Sequence, residues 1–300
     1  MAVPVLRRRR RTLAKRRWSP LKFGASLNTW WRESGIQESG GNLTAWNSDP
    51  ASAVTRNLSL TTGTPTVVAN GGENSATFVR TSSQAVYLTG TSYSSLTAGV
   101  IWVVWKQGAN ITATQDLLTF GSTGSGNTFG VLRLEAVTNQ LYPRWQAGRV
   151  TSNSARASLT TAAEEATNAS WRQVPAGGVC ALAVECDSVN NTTRFFFANS
   201  GTMRTFSTFI DDADDNSGLQ LKEALASDGA RGDFFSYINT TNAINRIAVG
   251  AAAGNASGTT APSSIFLDGT VFEIGIKSGT LGSDETNFLS YLMTRRGLKS

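Results

Sequence analysis

The sequence predicts an all-β fold, an antiparallel β-sandwich of jelly-roll type that ends in one short helix. The charged fraction is only 16%, and the composition is rich in Gly, Ser, Thr and Asn, which is typical of many short strands joined by polar turns. Residues 100–105 are apolar at every position, which indicates a central strand buried on both faces. At 300 residues the chain can bury a large core, and we expect a single body over residues 23–300.

The C-terminal end, residues 244–299, predicts the order strand, loop, strand, turn and helix. In the second of these strands, alternation places Phe272, Ile274 and Ile276 together on one face. The helix that follows has acidic residues in its first turn, and Ser283 is positioned to cap it.

This C-terminal order resembles the closing segment of the concanavalin A-like lectin/glucanase superfamily in its laminin-G-like form. The matching residues are Ile247, Gly250, Asp268, Gly269, Val271, Glu273, Ile274, Leu281, Asp284, Glu285, Leu289, Leu292, Gly297 and Leu298. Upstream, Asn70 and Gly71 also follow the family pattern, whereas Thr81 and Ser82 stand where the family has a glycine. The resemblance implies a concanavalin A-like jelly roll, a form common in bacterial and phage surface proteins, and leaves the ligand open.

Residues 1–22 form a basic N-terminal arm. The arm holds nine Lys and Arg and no acid, so of 27 basic residues in the chain 18 remain in the body against 21 acidic ones, a net charge of −3. Arginines pair with phosphate through parallel N–H donors, and blocks of like charge are typical of interaction tails. Contact with nucleic acid or an acidic partner is expected from Arg7, Arg8, Arg9, Arg10, Arg11, Lys15, Arg16 and Arg17. A solubilising or targeting tail is the alternative interpretation.

The chemistry of the chain favours a protein that is not an enzyme. It contains no histidine, which removes histidine-activated nucleophiles and histidine metal sites. The laminarinase-type glycosidases of the resembled superfamily carry Glu-x-Asp-x-x-Glu on one strand. Glu185 and Asp187 match its first half, but Asn190 stands where the second glutamate would be. Because glycoside hydrolysis needs two carboxylates at a defined separation, we expect no hydrolase activity.

Two kinds of binding site remain open. A sugar-stacking platform would use Trp30, Trp31, Trp145 and Trp171, although packing in the core is the favoured interpretation of the tryptophans. A calcium loop would draw oxygen ligands from Asp212, Asp214, Asn216 and Glu223, spaced as in a helix-loop-helix site. Its sixth position is Ser217 rather than glycine, so a solvated turn is favoured and no cofactor other than Ca²⁺ is considered.

The cysteines predict a reducing environment. Cys180 and Cys186 lie on one predicted strand, about 20 Å apart at ~3.3 Å per residue, which is too far for a disulfide. Both are expected to be buried as small hydrophobic residues. No apolar run approaches the ~20 residues of a membrane span, and we expect neither membrane association nor a secretory signal.

Together these features favour a non-enzymatic structural protein of a bacteriophage virion, assembled in the host cytoplasm. A head-decoration, fibre-associated or minor capsid protein would use the arm as a tether and contact other virion proteins and further copies of itself. One alternative is a lectin-like carbohydrate-binding module that recognises surface glycans. Another is a jelly-roll capsid subunit with a genome-binding arm. Fold alone does not decide between them.

Overall fold

A computed structural model describes residues 18–70, 72–90, 96–121, 129–150, 153–158, 173–190, 192–199, 203–206, 209–210, 219–221, 234–237, 245–252, 262, 264–295 and 298. The strands of the first half are β1 (Leu27–Ser39), β2 (Asn42–Ser48), β3 (Leu60–Thr62), β4 (Thr66–Asn70), β5 (Glu73–Phe78), β6 (Ala85–Thr89), β7 (Ala98–Gln107), β8 (Gln115–Gly121), β9 (Phe129–Val137) and β10 (Gln140–Val150). Those of the second half are β11 (Asn153–Ser158), β12 (Val179–Asp187), β13 (Thr192–Ala198), β14 (Arg204–Phe206), β15 (Phe209–Ile210), β16 (Leu219–Leu221), β17 (Arg246–Val249) and β18 (Gly269–Ser278).

Helical structure is short. Among the described residues, the α-helices are α1 (Phe234–Tyr237) and α2 (Glu285–Thr294), and 3-10 turns occupy Pro20–Ser26, Arg80–Ser82 and Gly282–Asp284. The expected mostly-β chain with a short C-terminal helix is therefore confirmed.

The strands form two nine-stranded sheets. Sheet A has the order β1-β2-β4-β5-β18-β7-β12-β13-β14, and sheet B has the order β15-β16-β11-β10-β9-β8-β17-β6-β3. Pairing is antiparallel except between β15 and β16. Strand β1 also pairs with β18, which closes β1, β2, β4, β5 and β18 into a ring of five strands. Strand β7 lies between β18 and β12, as its continuous apolar sequence predicts.

The main core lies between the two sheets. Side chains of sheet A, such as Val103 and Leu182, belong to the same buried cluster as Phe120 and Leu132 of sheet B. Alternation along each strand directs these residues inward and their neighbours outward. The free thiols of Cys180 and Cys186 are buried in this cluster, as predicted.

A second core covers the opposite, outer face of sheet A. Trp102 and Phe196 project from the sheet, and Phe288 and Leu292 project from α2 onto them. Phe23 of the first 3-10 turn completes the contact at a ring distance of 6.2 Å from Trp102. The central strands β7, β12 and β18 of sheet A are therefore buried on both faces, which explains why they are mostly apolar.

The prediction that Phe272 shares one face of β18 with Ile274 and Ile276 is wrong, because the strand contains a β-bulge. The register against β7 shifts between Val271 and Glu273. Val271 therefore packs in the main core with Ile274 and Ile276, whereas Phe272 packs in the second core beneath α2. A bulge adds one residue to one strand, so simple alternation fails across it.

The predicted helix cap is also wrong. No side chain of the local sequence, Ser283 included, caps Gly282–Asp284 or α2. The backbone N–H of Leu281 instead donates to Oε2 of Glu185, which lies 96 residues earlier on β12. Oε1 of the same carboxylate accepts from Arg194, and Arg194 also binds Glu285 in the first turn of α2 at 2.7 Å.

Candidate functional site

The two outer faces of the molecule differ in chemistry. The outer face of sheet A is apolar and lies beneath α2. On sheet B, the residues that alternate with the core positions of β8, β9 and β10 are mostly polar or charged. We call this set the sheet B face; it comprises Asp116, Thr119, Val131, Arg133, Glu135, Gln140, Tyr142, Arg144 and Gln146. Six of these nine residues are buried, and only Arg133, Glu135 and Gln140 are partly exposed.

Two arginines face each other at the centre of the sheet B face. Arg133 of β9 and Arg144 of β10 are direct cross-strand partners, and Asp116 of β8 is the partner of Arg133 on its other side. Like charges in this position repel each other. Each guanidinium is neutralised by its own carboxylate, because Arg133 binds Asp116 and Arg144 binds Glu135.

The Arg133–Asp116 pair is bidentate. Nε and Nη2 of Arg133 donate to the two carboxylate oxygens at 2.6 and 3.0 Å. Burial opposes the charge on Arg133, but the hydrogen bond and charge of Asp116 outweigh it and raise the pKa of Arg133. The Nη1 group of Arg133 has no hydrogen-bond partner among the described residues, and 20% of this side chain is exposed.

The Arg144–Glu135 pair extends the same arrangement by one strand. Nη1 of Arg144 donates to Glu135 and Nη2 donates to Gln146. The Arg144 side chain is only 5% exposed, whereas Glu135 retains 29%. The face therefore presents one partly exposed donor, Arg133, and one partly exposed acceptor, Glu135, each held in place by a more deeply buried partner.

This geometry suits recognition of a polar ligand. The exposed groups belong to regular strands of a sheet, so little side-chain freedom remains to be lost on binding. A guanidinium donates and a carboxylate accepts, which satisfies a hydroxyl group in both of its roles. Charge-assisted hydrogen bonds of this kind are roughly twice as strong as neutral ones.

The tryptophans proposed as a sugar platform do not form one. Trp30, Trp31 and Trp145 are 2%, 0% and 3% exposed, so none offers a ring face to a ligand. The Trp31 indole donates to the backbone of Arg56, and the Trp145 ring packs edge-on against Phe234 at 4.9 Å. They are buried because a large aromatic surface gains more in the core than on a wet face. Trp171 lies outside the described residues.

The other predicted site residues also lie outside the described part of the chain. These are the arm residues Arg7, Arg8, Arg9, Arg10, Arg11, Lys15, Arg16 and Arg17, and the calcium-loop residues Asp212, Asp214, Asn216 and Glu223. Within the described residues, no group of three or more His, Cys, Asp or Glu is placed to hold a metal ion. No helix of the described part is long and apolar enough to cross a membrane.

Glu185 and Asp187, the half-motif of a glycosidase, have other contacts here. Glu185 is 4% exposed and binds Leu281 and Arg194. Asp187 is 7% exposed and accepts from the backbone N–H groups of Val189 and Asn190 in the turn after β12. Both carboxylates thus stabilise local structure.

The sheet B face was not identified from the sequence, although a signal for it exists. In β9 and β10, polar and apolar residues alternate, with Arg133 and Glu135 flanking Leu134, and Arg144 and Gln146 flanking Trp145. Period-two alternation predicts a strand with one polar face. The pairing of Arg133 with Asp116 depends on strand register, which alternation alone does not provide.

Comparison with known proteins finds fold-level similarity only. No family model matches the chain, and no curated protein matches it. Among solved structures, the chain is similar to the carbohydrate-binding module CBM40 of the Ruminococcus gnavus IT-sialidase bound to α2,6-sialyllactose. The identity is 11% and the TM-score 0.41, covering 77% of this chain and 97% of that one. The enzymatically active domain of tailspike protein 2 from bacteriophage CBA120 matches at 12% identity and a TM-score of 0.47, covering 79% of this chain and 30% of that one. At these identities and TM-scores the similarities do not assign the chain to a family.

Proposed function

We propose that the body of this protein is a glycan-binding module whose ligand lies on the sheet B face. The observation that carries the proposal is the four-residue charge network of Asp116, Arg133, Arg144 and Glu135. Its two buried members hold its two partly exposed members in fixed positions. Breaking a buried pair costs about 3–5 kcal/mol, so the network also holds β8, β9 and β10 together. The ligand role rests on Arg133 and Glu135, whose side chains remain 20% and 29% exposed.

The proposed mode of binding differs from the tryptophan platform. Sugar hydroxyls would accept from Nη1 of Arg133 and donate to Glu135, the two partly exposed members of the network. Each hydrogen bond to a charged group adds about 1.5–3 kcal/mol. Two such bonds support binding in the millimolar to micromolar range. The proposal is for binding without catalysis on a concanavalin A-like jelly roll.

A role in a virion is the second candidate, and the basic arm favours it. Nine basic residues without an acid precede a body of charge −3, which suits a tether to a polyanion or an acidic partner. In this scheme the arm attaches the protein to a phage particle, as a decoration, fibre-associated or minor capsid protein, and the sheet B face meets surface glycans. A jelly-roll capsid subunit whose arm binds the genome fits the same charge distribution.

A glycan array with the full-length chain, followed by calorimetry on the best ligand, tests the glycan proposal. Arg133→Lys, which keeps a charge beside the buried Asp116 but loses the guanidinium donors, and Glu135→Gln should each weaken binding about tenfold, since one charge-assisted bond is lost. Lys106→Ala, at an exposed position on sheet A, is the matched control and should bind normally. A full-length chain that binds no glycan, or sheet-face variants that bind like the control, would exclude the proposal.

A further inference from the structure

The turn between β18 and α2 folds around a single positive charge. Lys277 lies near the end of β18 and is only 6% exposed. Its ammonium group donates to three successive backbone carbonyl oxygens, those of Ser278, Gly279 and Thr280, at 3.0, 3.3 and 2.5 Å. An ammonium group has three N–H donors, so the turn provides one acceptor for each of them.

Three carbonyl oxygens that converge on one point form a site for a cation. They converge where the chain leaves the strand, at Gly279, whose φ of +72° lies in the left-handed region that glycine adopts without strain. Backbone carbonyl oxygens arranged in this way replace the water shell of a bound cation. The turn therefore has the chemistry of a cation site whose occupant is covalently attached to the chain.

The other groups around this ammonium also suit a positive charge. Nζ of Lys277 lies over the ring of Phe23, 5.3 Å from its centroid, on the electron-rich face. Burial lowers the pKa of Lys277, and the carboxylates of Asp284 and Glu185 oppose this effect because they favour the charged form. Carbonyl oxygens, an aromatic face and two carboxylates thus surround one point.

The site lies where three elements of the fold meet. Lys277 belongs to β18, the carbonyl groups lead into α2, and Phe23 belongs to the first 3-10 turn. Phe23 also packs against Phe288 of α2 at a centroid distance of 5.6 Å. A cation at this point therefore fixes the direction in which the chain enters α2 and holds the first 3-10 turn beside that helix.

We propose that the turn between β18 and α2 is a binding site for a primary ammonium ion, which the chain fills with the side chain of Lys277. The charge and its three hydrogen bonds hold the turn in place, so a free alkylammonium ion binds there when the side chain is shortened. The ligand must be a cation with three N–H donors, which a primary ammonium ion has and a quaternary ammonium ion lacks. This site is independent of the proposed glycan site.

Thermal unfolding of full-length variants in alkylammonium salts tests the proposal. Lys277→Ala removes the ammonium group and leaves space for a ligand, whereas Lys277→Met removes the charge but keeps a side chain of similar length. Propylammonium chloride is the probe, because its cation reproduces the lysine side chain beyond Cβ. Tetramethylammonium chloride at the same concentration is the control, because its cation has the charge but no N–H donor.

Both variants should melt below the wild-type chain. Relative to tetramethylammonium, propylammonium should raise the melting temperature of Lys277→Ala by about 2–4 °C once its concentration is about five times the dissociation constant. It should not raise that of Lys277→Met or of the wild type, since a side chain already fills their sites. A Lys277→Ala variant that responds equally to the two salts, or that stays unfolded at every propylammonium concentration, would overturn the proposal. A Lys277→Met variant that melts together with the wild type would overturn it as well.

Discussion

Replacing Glu273 should destabilise the protein more than any change at its exposed neighbours. This carboxylate is 0% exposed and accepts from Trp102 Nε1 at 2.9 Å, Tyr291 Oη at 2.6 Å and Arg295 Nε at 2.9 Å. It thereby joins β18 to β7, to α2 and to the residue that follows α2. Glu273→Ala leaves the buried indole of Trp102 and the half-buried donors of Tyr291 and Arg295 without this acceptor.

The expected loss in the free energy of unfolding depends on which hydrogen-bond partners remain for the three donors once Glu273 is removed. Removing one partner of a buried ion pair costs about 3–5 kcal/mol, mostly because the other charge stays buried. Arg295 retains Glu33 and Glu73, which lowers its contribution to the cost. Among the described residues, the side chains of Trp102 and Tyr291 have Glu273 as their hydrogen-bond acceptor and no second one. We expect a loss of about 4 kcal/mol in the free energy of unfolding for Glu273→Ala, and about half of that for Glu273→Gln, which keeps an acceptor oxygen.

Urea unfolding of the full-length protein, followed by tryptophan fluorescence, provides the measurement. Glu73→Ala is the matched control, because Glu73 binds the same arginine but is 35% exposed, so its loss should cost less than about 1 kcal/mol. Tyr291→Phe completes a double-mutant cycle: it should cost less in the Glu273→Ala background than in the wild type. A Glu273→Ala variant as stable as Glu73→Ala would refute the view that this carboxylate holds α2 to the sheet.

Two further predictions concern the core. Gly275→Ala should lower stability by about 1–3 kcal/mol or more, because an added Cβ would lie 1.9 Å from Cζ2 of Trp102 in a filled core. Thermal unfolding checks this. Ser290→Ala, at an exposed position on α2, is the control, and equal melting temperatures of the two variants would contradict the prediction. The thiols of Cys180 and Cys186 should not react with an aromatic disulfide reagent at pH 8 until the chain unfolds in urea. Burial raises the pKa of the Cys186 thiol to about 12 and also raises the pKa of the Cys180 thiol, so neither forms the reactive thiolate in the native protein. Fast reaction of the native protein would contradict this prediction.

Sequence patterns predicted the strands well where burial decides the residue type. Residues 100–105 are apolar on both faces because β7 lies between two cores. This continuous apolar run can be recognised in the sequence without knowledge of the neighbouring strands. The burial of Cys180 and Cys186 followed from the same periodicity. In these segments the apolar composition matches the buried position in the fold, and the burial was therefore predicted correctly.

Features that depend on pairing between distant segments could not be predicted in this way. The bulge at Val271 and Glu273 is set by the register of β18 against β7, and it reverses the side to which Phe272 points. The acceptor for Leu281 comes from Glu185, far away in sequence. The sheet B face is a third case, because Arg133 and Asp116 become partners only when β8 and β9 align.

The ion pair between Arg194 and Glu285 has a consequence for the order of folding. A ten-residue helix is marginal on its own, and α2 has no side-chain cap within its own sequence. Its first residue, Glu285, is held by Arg194 of β13, which is in position only after β13 has paired with β12. Helix α2 is therefore expected to form late and to dock on sheet A after the sheet has formed. Mutations in α2 should accordingly increase the unfolding rate rather than lower the folding rate. Until that step, Trp102 and Phe196 face water, and the nascent sandwich is at its most prone to aggregation.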